Sequence, residues 1–181
     1  MKPKVHVYLG VSLDGYIAGN EGDLSWLDKI PPPPGEDFGF QKFLEGMDCL
    51  FMGRNTYEAI KDFPDWHYGS QKVYVLTSRP IDWKGVWKDR AETLDLSPED
   101  LLKYAEEKGY NHIYLDGGMT IHRFLDAGLV DEMTLSILPI LLGGGTLLFG
   151  TRKTGQIWTL VSSRSYSNGF VQSHYRYSGE F

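Results

Sequence analysis

The sequence predicts a three-layer α/β fold in one domain spanning residues 1–181, on a mixed, mostly parallel sheet that ends in an antiparallel C-terminal hairpin. Three observations predict it. Between Val5 and Gly128, short apolar runs alternate with stretches of helical spacing, the order that builds parallel strands joined by helical crossovers. From Glu132 onward the pattern is strands alone, and Ser167, Asn168 and Gly169 form a turn that makes the last two a hairpin. No repeat, low-complexity tail or interdomain linker interrupts this order.

Composition is consistent with one ordinary core. At 181 residues the chain is long enough for one domain and short for two, and 41% hydrophobic with 23% charged residues excludes disorder. A net charge of −6 argues against a broad nucleic-acid surface, so an anionic ligand must be met locally, by a cation such as Arg54 or Arg79. The single cysteine, Cys49, excludes an internal disulfide and reads as an inert core thiol in the run Cys49–Met52. Neither "MKPKVHVYLGVSLDG", broken by His6 and Ser12, nor "MTLSILPILLGGGTLLFG", broken by Pro139 and three glycines, can serve as a signal peptide or membrane span. The protein is expected to be cytoplasmic.

In chain order, Val5 to Leu13 is a strand ended by the turn residues Asp14 and Gly15. The prolines of "IPPPPGED" form an extended spacer, and Phe40, Phe43 and Leu44 share one face of a short helix over 38–44. Asp48–Met52 is a strand, Asn55–Asp62 a helix and Val73–Thr77 a strand. "SPEDLLKYAEEKG" is the clearest helix, with Ser97 as N-cap, Pro98 in the first turn, acids suited to the dipole and Gly109 beyond its end. "HIYL" is a strand leading into the helix of "DGGMTIHRFLDAGL", stopped at Gly128; long strands follow at 132–138, 156–165 and 169–177.

The chemistry is expected at the strand ends, because ligands of open α/β sheets bind beyond the carboxyl ends of the strands. Three junctions carry suitable residues: Gly53-Arg54-Asn55-Thr56, Thr77-Ser78-Arg79 and Gly117-Gly118-Met119-Thr120. They combine close backbone approach, hydroxyls, free amides and two guanidinium forks that match a phosphate monoester. A lone Gly-Gly before a helix is usually punctuation; three such junctions in succession are hard to explain as turns alone. No G-x-G-x-x-G or P-loop is present, and "GVSLDG" is one residue too long for a nucleophile elbow. The five histidines are scattered without i, i+4 spacing, so no metal site is expected. "LLGGGTLLFG", with no helix after it, reads as a loop that lines or covers a pocket.

"FMGRNTYEAI", "VYVLTSRP" and "IYLDGGMTIHRFL" resemble the three nucleotide-binding segments of the dihydrofolate reductase fold, in the right order. "VYLGVSLDGYIAG" resembles that fold's first strand and mobile loop. The "SLDG" form and "ILPILLGGGTLLF" are more similar to the reductase domain of riboflavin biosynthesis, the C-terminal half of the bifunctional deaminase–reductase and its stand-alone relatives. The resemblance spans roughly residues 4 to 178 and is specific for the superfamily, not for a substrate. It implies a three-layer dihydrofolate reductase-like fold and hydride transfer from NADPH to a C=N bond of a small heterocyclic substrate. Residue by residue, it implies that Arg54, Asn55 and Thr56 meet the cofactor phosphates, with Arg54 and Arg79 near the 2′-phosphate. Leu76, Thr77 and Ser78 line the adenosine side, Gly117, Gly118, Met119 and Thr120 present amides to the pyrophosphate, and Gly10, Val11, Ile17 and Ala18 border the nicotinamide. Gly53 and Asp116, which open two of these segments, complete the cofactor set.

The proton donor stays open between two catalytic candidates. Asp37 falls, counting back from Gly53, where dihydrofolate reductases carry an acid; its other reading is a helix cap. Asp14, in "SLDG", is the rival, and Asp-Gly is also a common turn. Glu36, Trp26 and Asp23 are further candidates for the pocket wall. The tetraproline loop departs from both families. The competing functions are a pterin reductase of the same fold and a nucleotide-binding protein without turnover. With no zinc-binding deaminase domain in this chain, the bifunctional enzyme is not expected. Ile157, Trp158, Leu160, Tyr166, Phe170, Tyr175 and Tyr177 put more apolar surface on the C-terminal strands than one sheet face needs, which predicts a homodimer.

Overall fold

A computed structural model describes residues 1–150 and 155–181. In chain order the elements are β1 (Lys4–Ser12), β2 (Tyr16–Ala18), α1 (Phe40–Glu45), β3 (Cys49–Gly53), α2 (Arg54–Ile60), β4 (Lys72–Leu76), α3 (Trp87–Arg90), β5 (Ala91–Leu94), α4 (Pro98–Glu107), β6 (His112–Asp116), α5 (Gly118–Asp126), β7 (Glu132–Leu138), β8 (Thr146–Leu147), β9 (Gln156–Ser165) and β10 (Val171–Glu180). Two 3-10 turns, Asn20–Gly22 and Ser25–Lys29, lie between β2 and α1.

Eight strands form one sheet in the order β5-β4-β3-β6-β1-β7-β10-β9. The strands from β5 to β7 run parallel, and β10 and β9 close the edge antiparallel. Alternation along each strand makes the three layers. Cys49, Phe51, Tyr74, Ile113 and Leu115 face α4 and α5, whereas Leu50, Met52, Val73, Val75 and Tyr114 face α1, α2 and α3. Continuous apolar runs such as Cys49–Met52 are what a strand buried on both faces requires. Each such side chain contributes about 1.5–3 kcal/mol by leaving water. Cys49 is fully buried and burial pushes its thiol up, as an inert core thiol requires. At α4, Ser97 Oγ accepts from the Asp100 amide at 3.1 Å and Gly109 takes φ +77.

The differences from the sequence expectation are local. β2, β8, α3 and β5 are unpredicted, because two to four residues cannot show a period. Part of the segment read as a loop over a pocket is β8, pairing with β2. Phe170 is not exposed: it is buried, with its ring stacked on Phe38 at 5.1 Å. The histidines are less scattered in space than in sequence. His6 Nε2 lies 3.0 Å from His112 Nδ1, and His174 Nε2 lies 3.1 Å from Glu132. That group sits at the amino ends of β1, β6 and β7, whereas the glycine junctions lie at the carboxyl ends.

Candidate functional site

A cavity of about 550 Å³ opens at the carboxyl ends of β1, β3 and β6. Leu9 and Gly10 form its floor, Gly53–Thr56 one wall and Asp116–Thr120 the other, with Ile17, Ala18 and Thr146 above. Adjacent parallel strands deliver two helices here, because α2 follows β3 and α5 follows β6 without an intervening loop. Where the two helix starts come together, Gly117 has φ +91, and a Cβ at that position would overlap Thr56 Oγ1. A side chain there would push the two helix starts apart, which is the physical reason for the double glycine. The start of α5 therefore presents unobstructed amides, and Thr56, Thr120 and Asn55 add hydroxyl and amide groups within the same cavity.

Arg54 is fixed at the rim. Its Nη1 donates to the carbonyls of Arg79 (3.1 Å) and Pro80 (3.2 Å), and its Nε lies 3.3 Å from Glu58 Oε1. The guanidinium thus clips α2 to the turn after β4. Thr77 Oγ1 shapes that turn by accepting from the Arg79 amide at 3.1 Å.

The cavity brings together Gly10, Ile17, Ala18, Gly53, Arg54, Asn55, Thr56, Leu76, Asp116, Gly117, Gly118, Met119 and Thr120 of the predicted cofactor set. Thr77, Ser78 and Arg79 do not line it; they lie beyond Leu76 on the turn that Arg54 holds. Val11 does not either. It follows Gly10 on a strand, so it points to the opposite face and is 5% exposed in the α4–α5 core.

Neither predicted acid lines the cavity. Asp37 is exposed, and its two oxygens accept from the amides of Gly39 (2.8 Å) and Gln41 (3.0 Å) at the start of α1. Those amides hold its carboxyl below the usual range. Of its two readings, these contacts are those of a cap. Asp14 accepts from Ser12 Oγ (2.6 Å) and from the amides of Leu142 (3.1 Å) and Gly143 (2.8 Å), which also hold its carboxyl low. It ties the loop after β1 to the glycine loop before β8. Asp23 receives the Ser25 amide, and Glu36 receives the Phe38 amide and faces Arg164. Trp26 is buried against Leu138 and Phe170; its neighbours Leu24 and Leu27 are the ones that line the cavity.

Sequence reasoning missed two tyrosines and placed one acid with the cofactor that has a further property. Tyr8 and Tyr114 face the cavity from β1 and β6. Tyr8 donates to the Phe38 carbonyl and accepts from Gln172 Nε2 at 2.8 Å, and burial pushes its hydroxyl up to about 12. Tyr114 donates to the Tyr8 carbonyl at 2.9 Å. Asp116, half-buried at the end of β6, accepts from Tyr68 Oη at 3.3 Å. Burial raises its carboxyl above the usual range, while Tyr68 and the Gly117 amide oppose the rise. The strand period could have found the tyrosines, since Tyr8 shares parity with Gly10, and Tyr114 with Asp116. Among the described residues, no cluster of histidine, cysteine and acidic side chains is arranged to hold a metal, and no helix is long and apolar enough to cross a membrane.

Residues 3–172 match the model of the RibD C-terminal domain family. The uncharacterized protein YwjB of Bacillus subtilis (strain 168) is 30% identical over 179 residues, covering 97% of this chain and 98% of its own. Among solved structures, a protein of Shewanella sp. PV-4 assigned to riboflavin biosynthesis superposes with a TM-score of 0.89 at 35% identity, covering 98% of this chain and 99% of that one. A Thermotoga maritima diaminohydroxyphosphoribosylaminopyrimidine deaminase/5-amino-6-(5-phosphoribosylamino)uracil reductase gives 0.75 at 16% identity, over 98% of this chain and 57% of the longer one. Dihydrofolate reductase of Enterococcus faecalis, solved with NADP(H), gives 0.64 at 17% identity, over 97% and 96%. The last two likenesses establish a dihydrofolate reductase-like fold and nothing finer.

Proposed function

The chain belongs to the RibD C-terminal domain family, and from that premise we propose that it is an NADPH-dependent reductase acting on a C=N bond of a small heterocyclic substrate. The observation that carries this reading is the cavity itself, with a glycine-floored phosphate grip and an apolar, tyrosine-walled chamber that share one carboxyl group. NADPH, when bound, supplies the hydride. The residues present fit it. Gly117 and Gly118 carry no side chains of their own at the start of α5, and a Cβ on Gly118 would lie 2.7 Å from Thr146 Cγ2, so glycine is what lets the cover from β8 close over amides that could meet a pyrophosphate. Asn55, Thr56 and Thr120 offer further hydrogen bonds to it, and Arg54, at the cavity rim, is a cation available to the 2′-phosphate by which NADPH differs from NADH. Gly10, Ile17 and Ala18 leave room for a flat ring and keep water from it.

On the substrate side, Tyr8, Tyr114, Leu24 and Leu27 form an apolar wall for a planar heterocycle. Asp116 is the acid that faces it. A carboxyl that burial raises keeps its proton more readily than an exposed aspartate; it can donate that proton or, ionised, accept an N–H from the ring, and so help set the C=N bond for reduction. This polar group on the substrate side favours turnover over simple nucleotide storage.

The experiment is a fluorescence titration with NADPH and NADH, followed by NADPH oxidation against a panel of pterins and ribosylaminopyrimidines. NADPH binding with oxidation by one class is the expected result. Failure to bind either nucleotide would remove the reading. Binding without oxidation by any member would leave a nucleotide-binding protein.

A further inference from the structure

Asp116 and Tyr68 are 48 positions apart in the chain, yet the Tyr68 hydroxyl reaches the carboxyl across the α1–α2 face of the sheet at 3.3 Å. Tyr68 itself is 8% exposed and does not line the cavity. Its loop is bound more tightly than a connection between α2 and β4 needs. The Gly69 carbonyl accepts from both Trp66 Nε1 and Arg90 Nη1, each at 2.8 Å. Gln71 Nε2 donates to the carbonyls of Leu44 (2.8 Å) and Met47 (3.2 Å), and the Gln71 amide donates to the Tyr68 carbonyl at 3.2 Å. Trp66 meets Tyr68 edge to face at 5.5 Å and Trp87 at 5.1 Å. The loop that carries the phenol is therefore tied to both α1 and α3, and the phenol's single polar atom lies against Asp116, the one acid among the described residues that line the cavity.

We propose that Tyr68 is a positioning residue, whose hydroxyl fixes the Asp116 carboxyl in the orientation that presents it to the substrate. The inference rests on the reductase reading for what Asp116 does, but not for the contact itself. A carboxyl at the end of a strand turns about two side-chain bonds, and a ring N–H on the substrate needs an oxygen at one place. The Tyr68 bond and the Gly117 amide remove that freedom before substrate arrives. Because a hydroxyl bond favours the ionised form, Tyr68 also limits how far burial drives the acid toward its neutral form. Tyr114 from β6 also faces this carboxyl, and Tyr8 from β1, Arg54 from α2 and Arg123 from α5 line the same cavity. Packing alone would ask for a ring at position 68 and would be indifferent to its hydroxyl.

Tyr68→Phe separates the two cases, since it keeps the ring and deletes the donor. The first readout needs no substrate: the Asp116 carboxyl carbon is followed by NMR through a pH titration, with Asp116→Asn identifying the resonance. In Tyr68→Phe its midpoint should move up by about one pH unit, the scale of one hydrogen bond to a charged group. NADPH affinity should stay within about twofold, because Tyr68 is outside the grip. With the substrate found in the panel, kcat should fall about tenfold and its pH profile should shift with the carboxyl. Superimposable titrations in the two proteins would overturn the proposal, whatever the panel shows. If the titration shifts and no panel member is reduced, the reductase reading falls and the Tyr68–Asp116 contact stands.

Discussion

The contacts of single side chains decide what each can do. Arg54 is pinned by Glu58 and two carbonyls, so its fork is already oriented at the rim and loses little freedom on meeting a phosphate. Arg54→Ala should weaken NADPH binding by about 1–3 kcal/mol while changing NADH binding little. Equal losses for both in a fluorescence titration would take the 2′-phosphate away from Arg54. Asp37 has the opposite character, exposed and spent on the Gly39 and Gln41 amides at the start of α1. Asp37→Ala should cost about 1 kcal/mol of stability, and Asp37→Asn less, with turnover near normal in both. The depressed carboxyl makes this contribution full above the ordinary aspartate value of 3.8, and it is lost as pH falls through the lowered one. Slow turnover by a stable Asp37→Asn protein would return the acid's role to this residue.

At the scale of elements, the loop after β1 is the part whose structure depends on distant partners. β2 pairs with β8, the Leu148 amide donates to the Gly15 carbonyl at 2.9 Å, and His122 Nε2 lies 2.7 Å from the Leu148 carbonyl. Gly145 is required at the crossing: its φ is +123, and a Cβ would overlap the Ala18 carbonyl oxygen. Gly145→Ala should lower stability by about 1–3 kcal/mol in a thermal melt and loosen the cover over the cavity. Asp14→Ala should open the same loop to proteolysis between residues 12 and 20. Because Asp14 is held below 3.8, its tether is intact above that pH and releases only as pH falls through the depressed value. Protection unchanged by either substitution would show that β2 and β8 hold the loop alone. These facts also explain what was legible beforehand. Gly53–Thr56 and Gly117–Thr120 could be read because glycine and hydroxyls at a strand-to-helix turn are local signals. The long strands and α4 could be read because their periods and caps are local too. β2, β8 and the Tyr68–Asp116 bond could not, since each is made by residues far apart in sequence with no pattern of their own. Asp37 was placed by counting along a resemblance, and spacing carries no information about which way a carboxyl points.

For the whole molecule, the unbalanced feature is the edge of the sheet at β9. The strand is ten residues long and, among the described residues, pairs only with β10; its guards are one exposed charge, Arg164, and two bulges in its pairing with β10, without proline or lysine. Ile157, Leu160, Val161 and Val171 are 51%, 53%, 47% and 39% exposed, while Trp158 and Tyr177 beside them are half-buried, meeting at 5.5 Å. A lightly guarded edge and exposed apolar side chains on the same hairpin would make a free monomer prone to associate. A homodimer that closes on a two-fold axis would cover both and stop there, since an isologous contact uses each patch once. The cavity lies at the carboxyl ends of β1, β3 and β6, with β7 and β10 between it and β9, so pairing would leave both cavities open. Light scattering at micromolar concentrations should give twice the mass of the 20.6 kDa chain. Leu160→Arg, at an exposed position, should give the monomer mass with NADPH binding intact. A monomer mass for the unaltered protein across that range would remove the dimer.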